Sequence, residues 1–253
     1  TFLTVLGFGS GNLKDSKMEQ LADHGNGNFA YIDSPLEARK VLVSEMGGTL
    51  FTVAKDVKIQ VEFNPARVAG YRLIGYENRL LAAEDFDDDT RDAGELGAGH
   101  SVTALYEVVP VGVEGTVELR EPGELRYRGD GEGEDAGPAA DAVPTANSDE
   151  LLFVKLRYKD PDGSTSRLLE HPVIDVVDRR RIGDDFRFAA AVAAWGMLLR
   201  GSEHCGDFGF EDVARLARSA LGEDQEGYRA EFVSLVQASR RLAEPVATDD
   251  GGR

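Results

Sequence analysis

Leu6-Gly7-Phe8-Gly9-Ser10-Gly11-Asn12 follows an apolar run, Thr1-Phe2-Leu3-Thr4-Val5, and precedes a stretch patterned as a helix. Strand, glycine-rich turn and helix occur in this order where dinucleotide enzymes hold a pyrophosphate at a helix N-terminus. That fingerprint needs Gly-x-Gly-x-x-Gly, whose third glycine lets helix and strand pack closely, and here Asn12 holds the place. Asp33 ends the next strand-like run, where a ribose-binding carboxylate would stand, so a degenerate version of the loop stays open. The absence of Gly-Lys-Ser/Thr excludes a Walker-type phosphate loop. The preferred reading is that Gly7, Gly9 and Gly11 make a tight bend that grips no phosphate.

Working outward, Ser16-Lys17-Met18-Glu19 has the spacing of a capping box and predicts a helix that stops near Gly25-Asn26-Gly27. Asn28 to Ile32 reads as a second strand, and Ser34-Pro35 opens a helix with Leu36, Val41, Leu42 and Met46 on its apolar side. Residues 1–46 are thus β-α-β-α. Two parallel strands cannot cover two helices and satisfy their own edges, so the segment is expected to be the trailing part of a larger doubly wound layer. The chain starts inside a strand-like run without a leader, and is expected to be a piece of something longer.

From Gly47 the period becomes that of strands, at Thr49 to Phe63, Val68 to Tyr76, Ser101 to Val109, Leu151 to Tyr158 and Ser166 to Pro172. No helical pattern intervenes, which predicts an antiparallel β-sandwich over 47–175. Within it, residues 129–150 are rich in Gly, Pro, Ala and acids, and are expected to form a disordered loop. Apolar residues return to helical spacing from Ile182 to Met197, Val213 to Leu221 and Tyr228 to Leu242, giving a C-terminal three-helix bundle over 176–247 and a fraying tail from Thr248. The fold class expected is therefore a multi-part α+β chain: an incomplete Rossmann-like α/β edge, a sandwich and a helical bundle.

A net charge of -18 over 253 residues argues against a phosphate backbone as partner, since such binding relies on clustered Lys and Arg. The longest apolar run, Phe188 to Leu199, is too short to span a bilayer. A single cysteine, Cys205, excludes an internal disulfide framework and is compatible with either redox compartment.

Few residues combine into recognisable chemistry. Asp85-Phe86-Asp87-Asp88-Asp89-Thr90-Arg91-Asp92 begins like a calcium loop, but Thr90 replaces the turn glycine and Leu96 stands where a bidentate Glu belongs, so an EF-hand is rejected. A looser calcium site competes there with a solvated acidic turn. In Glu203-His204-Cys205-Gly206-Asp207 a thiol adjoins an imidazole, yet adjacent residues seldom converge as nucleophile and base; a helix-helix loop is preferred. His24, His100 and His171 are scattered, Trp195 is core material, and Arg179-Arg180-Arg181 reads as an interdomain salt bridge or a solvated end before a helix. No catalytic, cofactor-binding or metal-ligating residue is assigned.

Thr4-Val5-Leu6-Gly7-Phe8-Gly9, Asn12, Met18 to Asp23, Gly25 to Asp33 and Glu37-Ala38 together resemble the last two βα units of a von Willebrand factor type A (vWA) domain. The remainder, including Gly47 to Pro65, Tyr71 to Arg79, Gly97 to Val108 and Asp184 to Arg200, is similar to the uncharacterised C-terminal extension of one bacterial family of such proteins. The resemblance implies that any metal-ion-dependent adhesion site, built on an Asp-x-Ser-x-Ser loop, lies upstream of Thr1; no ligand carries over to this chain. It also implies a place in the cell envelope, with an N-terminal export or lipid signal that this stretch lacks. The function expected is a non-enzymatic protein-interaction or scaffold module with protein partners of unknown identity and no cofactor. The alternative is a metal-assisted hydrolase or calcium-binding protein using residues 85–92.

Overall fold

β1 (Val5–Phe8) and β2 (Phe29–Ile32) pair in parallel, with Val5 opposite Phe29 and Phe8 opposite Ile32. Parallel neighbours need a crossover, which α1 (Asp15–His24) supplies. The computed structural model containing these elements describes residues 3–9, 11, 13–25, 27–76, 80–82, 85–113, 149–175 and 182–243. Gly27 is needed for close approach: a Cβ there would fall 2.0 Å from the Leu3 carbonyl oxygen. The expected capping box at Ser16 is corrected. The helix starts at Asp15 with Lys14 as its cap and no side-chain cap bond, which leaves Ser16 inside the first turn and Asp15 to complement the helix dipole.

α2 (Pro35–Arg39) starts where the sequence places it, with Ser34 Oγ accepting from Glu37 N at 3.1 Å. A π-helical turn (Lys40–Ser44) and α3 (Met46–Leu50) follow. The helical path therefore persists beyond Gly47, and the strand expected from Thr49 begins at Thr52 instead. Gly48 does not break the helix here; the ring of His100 fills its side-chain space, 2.2 Å from where a Cβ would stand.

β3 (Thr52–Phe63) turns at Asn64 into β4 (Val68–Ile74); β5 (Gly94–Gly97), β6 (Leu105–Pro110), β7 (Glu150–Lys159) and β8 (Ser166–Ile174) complete the strands. A four-stranded antiparallel sheet runs in the order β5-β3-β7-β8, and β4 pairs with β6 as a separate two-stranded sheet. Asn64 is fully buried and satisfied: its Nδ2 donates to Glu150 O at 2.8 Å and its Oδ1 accepts from Ala66 N at 3.0 Å. Phe63 and Tyr71 stack with ring centroids 4.4 Å apart. β5 was not foreseen, because four residues bounded by glycines carry no period.

The chain divides into two compact units, one of Thr1–Arg72, Tyr76–Val102 and Glu107–Asp175, the other of Leu73–Gly75, Thr103–Tyr106 and Val176–Arg253. In the second unit, α4 (Asp184–Leu199), α5 (Phe210–Arg218) and α6 (Tyr228–Ala243) share a core of Ala191, Val213, Ala214, Ala217, Phe232, Val233 and Val236. Burial of a valine side chain stabilises by about 1.5–3 kcal/mol, so these few positions carry much of the unit. Phe188 and Trp195 meet Phe232 edge-on at 5.2 and 5.4 Å, and Trp195 Nε1 donates to Ser239 Oγ at 3.2 Å. The architecture is a mixed α/β one, with several helices and antiparallel sheets. Residues 129–148 of the acidic loop, Arg179 to Arg181 and the tail from Thr248 lie outside the described residues; Glu150, expected in that loop, opens β7.

Candidate functional site

The like-charged pairs of the central sheet organise its most polar region. In the β3–β7 register Lys55 lies opposite Lys159, and Lys58 opposite Arg157. Directly opposed residues project from the same face, so both pairs would be destabilising unless something negative lay across them. The ladder slips between Lys55 and Lys58, where Asp56 takes a left-handed φ of 52°; this bulge returns Lys58 to the face of Lys55 despite their odd spacing.

The acidic segment Asp85 to Asp92 supplies the negative cover. Phe86 is 4% exposed and anchors it. Lys58, equally buried, donates from Nζ to the carbonyl oxygens of Asp85, at 3.0 Å, and Asp88. Lys159 Nζ donates to the Asp89 carbonyl at 2.7 Å and to Asp56 Oδ2 at 2.6 Å. Arg157 reaches Asp87 Oδ1 at 2.7 Å, Asp89 Oδ1 at 3.4 Å and Ser166 Oγ at 2.6 Å. Asp88 Oδ1 accepts from Thr90 N at 2.8 Å and from Thr90 Oγ1 at 2.7 Å, closing the turn. The segment is thus a strap: the ammonium groups of Lys58 and Lys159 take three of its backbone carbonyl oxygens, and Arg157 and Thr90 engage its carboxylates. The solvated turn expected from the sequence is corrected to this extent.

Electrostatics follow from these contacts. The hydroxyl of Thr90 holds the Asp88 carboxyl below its usual range, and bonds from Ser166 do the same for Asp89. Burial pushes the Asp56 carboxyl up, but hydrogen bonds from Lys159 and Asp92 outweigh it and hold Asp56 low; the same Asp56 bond raises Lys159. Glu95 behaves in the opposite way. Burial, then the charges of Asp56 and Asp92, lift its carboxyl from 4.5 to about 7, against a smaller pull from Lys55. Its Oε2 is shut from solvent with no hydrogen-bond partner.

Asp56, Asp92 and Glu95 bring carboxylate oxygens within 4.8 Å of one another, the one acidic, His or Cys group among the described residues tight enough to surround an ion. Lys159 already supplies positive charge there through Asp56. Asp92 belongs to the segment singled out by sequence; Asp56 and Glu95 were missed, because a bulge and a short strand erase the alternation that would have paired them. The lysines on either side of Asp56 were the available signal.

The other expected positions do not converge. Gly9 has φ 81° and its carbonyl accepts from Tyr31 Oη at 2.9 Å, so the glycine bend is tied to the second strand; Ser10 and Asn12 lie outside the described residues, and Asp33 is exposed. His204 and Cys205 lie in a 3-10 turn (Glu203–Cys205), with Cys205 half-buried and His204 Nε2 3.8 Å from Glu203 Oε1. His24 bonds its own helix at Gln20 O, His100 fills the space beside Gly48, and His171 sits on β8. In the second unit a hollow of about 400 Å³ is lined by Asp184, Asp185, Glu223, Asp224 and Arg229. Its charges serve the fold: Asp224 caps α6 through Arg229 N and Ala230 N, and Arg229 pairs with Asp185.

A family model described as "Uncharacterized protein YfbK, C-terminal" matches residues 48–242. The uncharacterized protein YfbK of Escherichia coli (strain K12) is 42% identical over 235 residues, covering 93% of this chain and 38% of that protein. The chain thus spans well under half the length of that curated relative. Among solved structures, the ArnB paralog VWA2 from Sulfolobus acidocaldarius aligns at a TM-score of 0.39 and 13% identity, over 95% of this chain and 51% of that one.

Proposed function

The chain belongs to the family described as the C-terminal part of the uncharacterized protein YfbK, and from that premise we propose that it is a protein-interaction and scaffold module of a longer vWA-type polypeptide, with no catalysis of its own. The observation that carries the reading is the strap. Lys58, Arg157 and Lys159 already engage its carbonyls and carboxylates, so the acids of residues 85–92 act as internal counterions.

Two further features support interaction. β1 and β2 form a two-stranded parallel sheet, an arrangement that natural proteins almost always bury on both faces within a larger layer. From the π-helical turn to the start of β3, Leu42, Val43, Met46, Leu50 and Phe51 are between 41% and 66% exposed, a row of large apolar side chains with the character of a surface that another polypeptide covers. The proposal is that this N-terminal part belongs to a vWA-like layer completed by other chain. The antiparallel sheets are read as a sandwich and α4, α5 and α6 as a three-helix bundle, each a rigid platform. By the vWA resemblance, the proposal extends to a place in the bacterial cell envelope.

The competing reading, a calcium site or metal-assisted hydrolase on residues 85–92, makes a distinct prediction. Titration of the chain with Ca²⁺ or Mg²⁺ in a calorimeter is expected to give only weak, non-saturating heats. Saturable binding that disappears in Asp87→Asn/Asp89→Asn would overturn the proposal and establish the alternative.

A further inference from the structure

We propose that the outer face of α4 and α6, made by Val192, Leu199, Leu235 and Leu242, is a self-association surface on which a second copy of this chain packs in the opposite direction. The spacing comes first. Phe188, Val192, Trp195 and Leu199 recur on α4 at intervals of four, three and four residues, and Phe232, Leu235, Ser239 and Leu242 on α6 at three, four and three. Each set is a heptad stripe, the pattern that seats one helix against others.

Only half of each stripe is used within the helical unit. Phe188 and Trp195 meet Phe232, and Trp195 bonds Ser239; these residue numbers rise together, so the two helices run the same way. Ala191 on α4, with Val233 and Val236 on α6, turns into the core shared with α5. At about 100° per residue the remaining members fall on the side of the α4–α6 seam away from α5. Val192, Leu199, Leu235 and Leu242 are 40%, 55%, 50% and 88% exposed, with Trp195 half-buried between them.

Charge and size identify the occupant. Near the helix N-termini the face carries Glu231 and Asp185, the latter exposed although paired with Arg229; at the other end it carries Arg200 and Arg241, both exposed. A second copy related by a two-fold axis through the middle of the face sets each acidic end against a basic one, so the face is complementary to itself. Two helices of 16 residues present a face about 24 Å long and about 20 Å wide, so a dimer buries about 1,000 Å² in total, at the low end for a specific interface. The expected dissociation constant is accordingly about 10–100 µM, and the net charge of -18 weakens association further at low ionic strength. None of the residues in the apolar row from Leu42 to Phe51 takes part.

Sedimentation velocity of the intact chain between about 5 and about 300 µM, in about 0.15 M salt, tests the surface. A reversible shift from monomer to dimer is expected, accompanied by movement of the tryptophan emission to shorter wavelength, since Trp195 is the only tryptophan and association covers it. Leu199→Lys/Leu235→Lys changes two exposed positions and lowers the overall repulsion, so a loss of about tenfold or more in dimer affinity, with the thermal midpoint unchanged, is assigned to the face itself. A monomer at every concentration would overturn the proposal while leaving the row from Leu42 to Phe51 untouched. So would a dimer that survives in the variant, or one that forms without any change at Trp195, because either places the contact elsewhere. The wild-type emission decides even if the variant does not fold.

Discussion

Lys159 is the residue that ties a half-buried carboxylate and a backbone carbonyl to the central sheet. It is 8% exposed, faces Lys55 across the ladder, and bonds both the Asp56 carboxylate and the Asp89 carbonyl. Removing one partner of a buried pair leaves the other charge uncompensated, which costs more than the pair itself contributes. Lys159→Met is therefore expected to lower unfolding free energy by about 3 kcal/mol. Adding Asp56→Asn to that variant should recover part of the loss, since the orphaned carboxylate disappears with it. Urea denaturation of the two single variants and the double variant at neutral pH measures both effects; simple additivity would show that the two groups are not coupled.

At the scale of elements, β5 is held by the way glycines admit backbone to backbone. A Cβ on Gly97 would fall 1.8 Å from the Gly48 carbonyl oxygen, and no rotamer relieves a clash with main chain. The neighbouring bond, Ala98 N to Phe51 O at 2.7 Å, ties the same strand end to the end of α3. Gly97→Ala should therefore part β5 from α3 and destabilise by about 2 kcal/mol, within the range found for overpacked sites. Exchange of residues 94–98 should accelerate while that of β7 and β8 stays protected. The contrast with Gly99 sharpens the argument, because open space surrounds that glycine and only its φ of 78° restricts substitution.

For the whole molecule, charge sets the response to pH. At a net charge of -18, raising the pH above neutrality adds repulsion to a chain already crowded with carboxylates. Glu95 acts in the same direction: with its carboxyl raised to about 7, the stability it permits is complete below 4.5 and lost as pH rises between those values. Urea midpoints are expected to fall from about pH 5.5 to about pH 8, and Glu95→Gln should flatten that decline by about 1 kcal/mol at the alkaline end. Added salt should relieve the general repulsion and also shrink the wild-type-to-variant difference, because Glu95 is only half-buried and its neighbour Asp92 is exposed to screening. A variant that tracks the wild type at every pH would contradict the assignment of Glu95.

Local patterns were enough to identify the helices and the long strands. Ser34-Pro35 marked the start of α2, the 3.6-residue spacing marked α4, α5 and α6, and alternating β-branched residues marked β3, β7 and β8, because caps and amphipathic faces are encoded within a few residues. The same patterns misplaced the start of α1 and ended the helical path opened at Ser34-Pro35 too early, where no side-chain cap forms at Lys14 and Gly48 serves a contact with His100 inside α3. The acidic segment was visible by composition, but its role was not. Whether aspartates face water, an ion or buried lysines depends on which strands lie beneath them, and Lys58 and Lys159 reach residues 85–92 from positions 27 and 70 residues away. The amino-acid sequence by itself determined most of the helices, the long strands and the surplus of acid; only the tertiary structure decided β5, the bulge at Asp56, the strap and the meeting of Asp56, Asp92 and Glu95, because pairing register brings distant charges together and leaves no periodic trace along the chain.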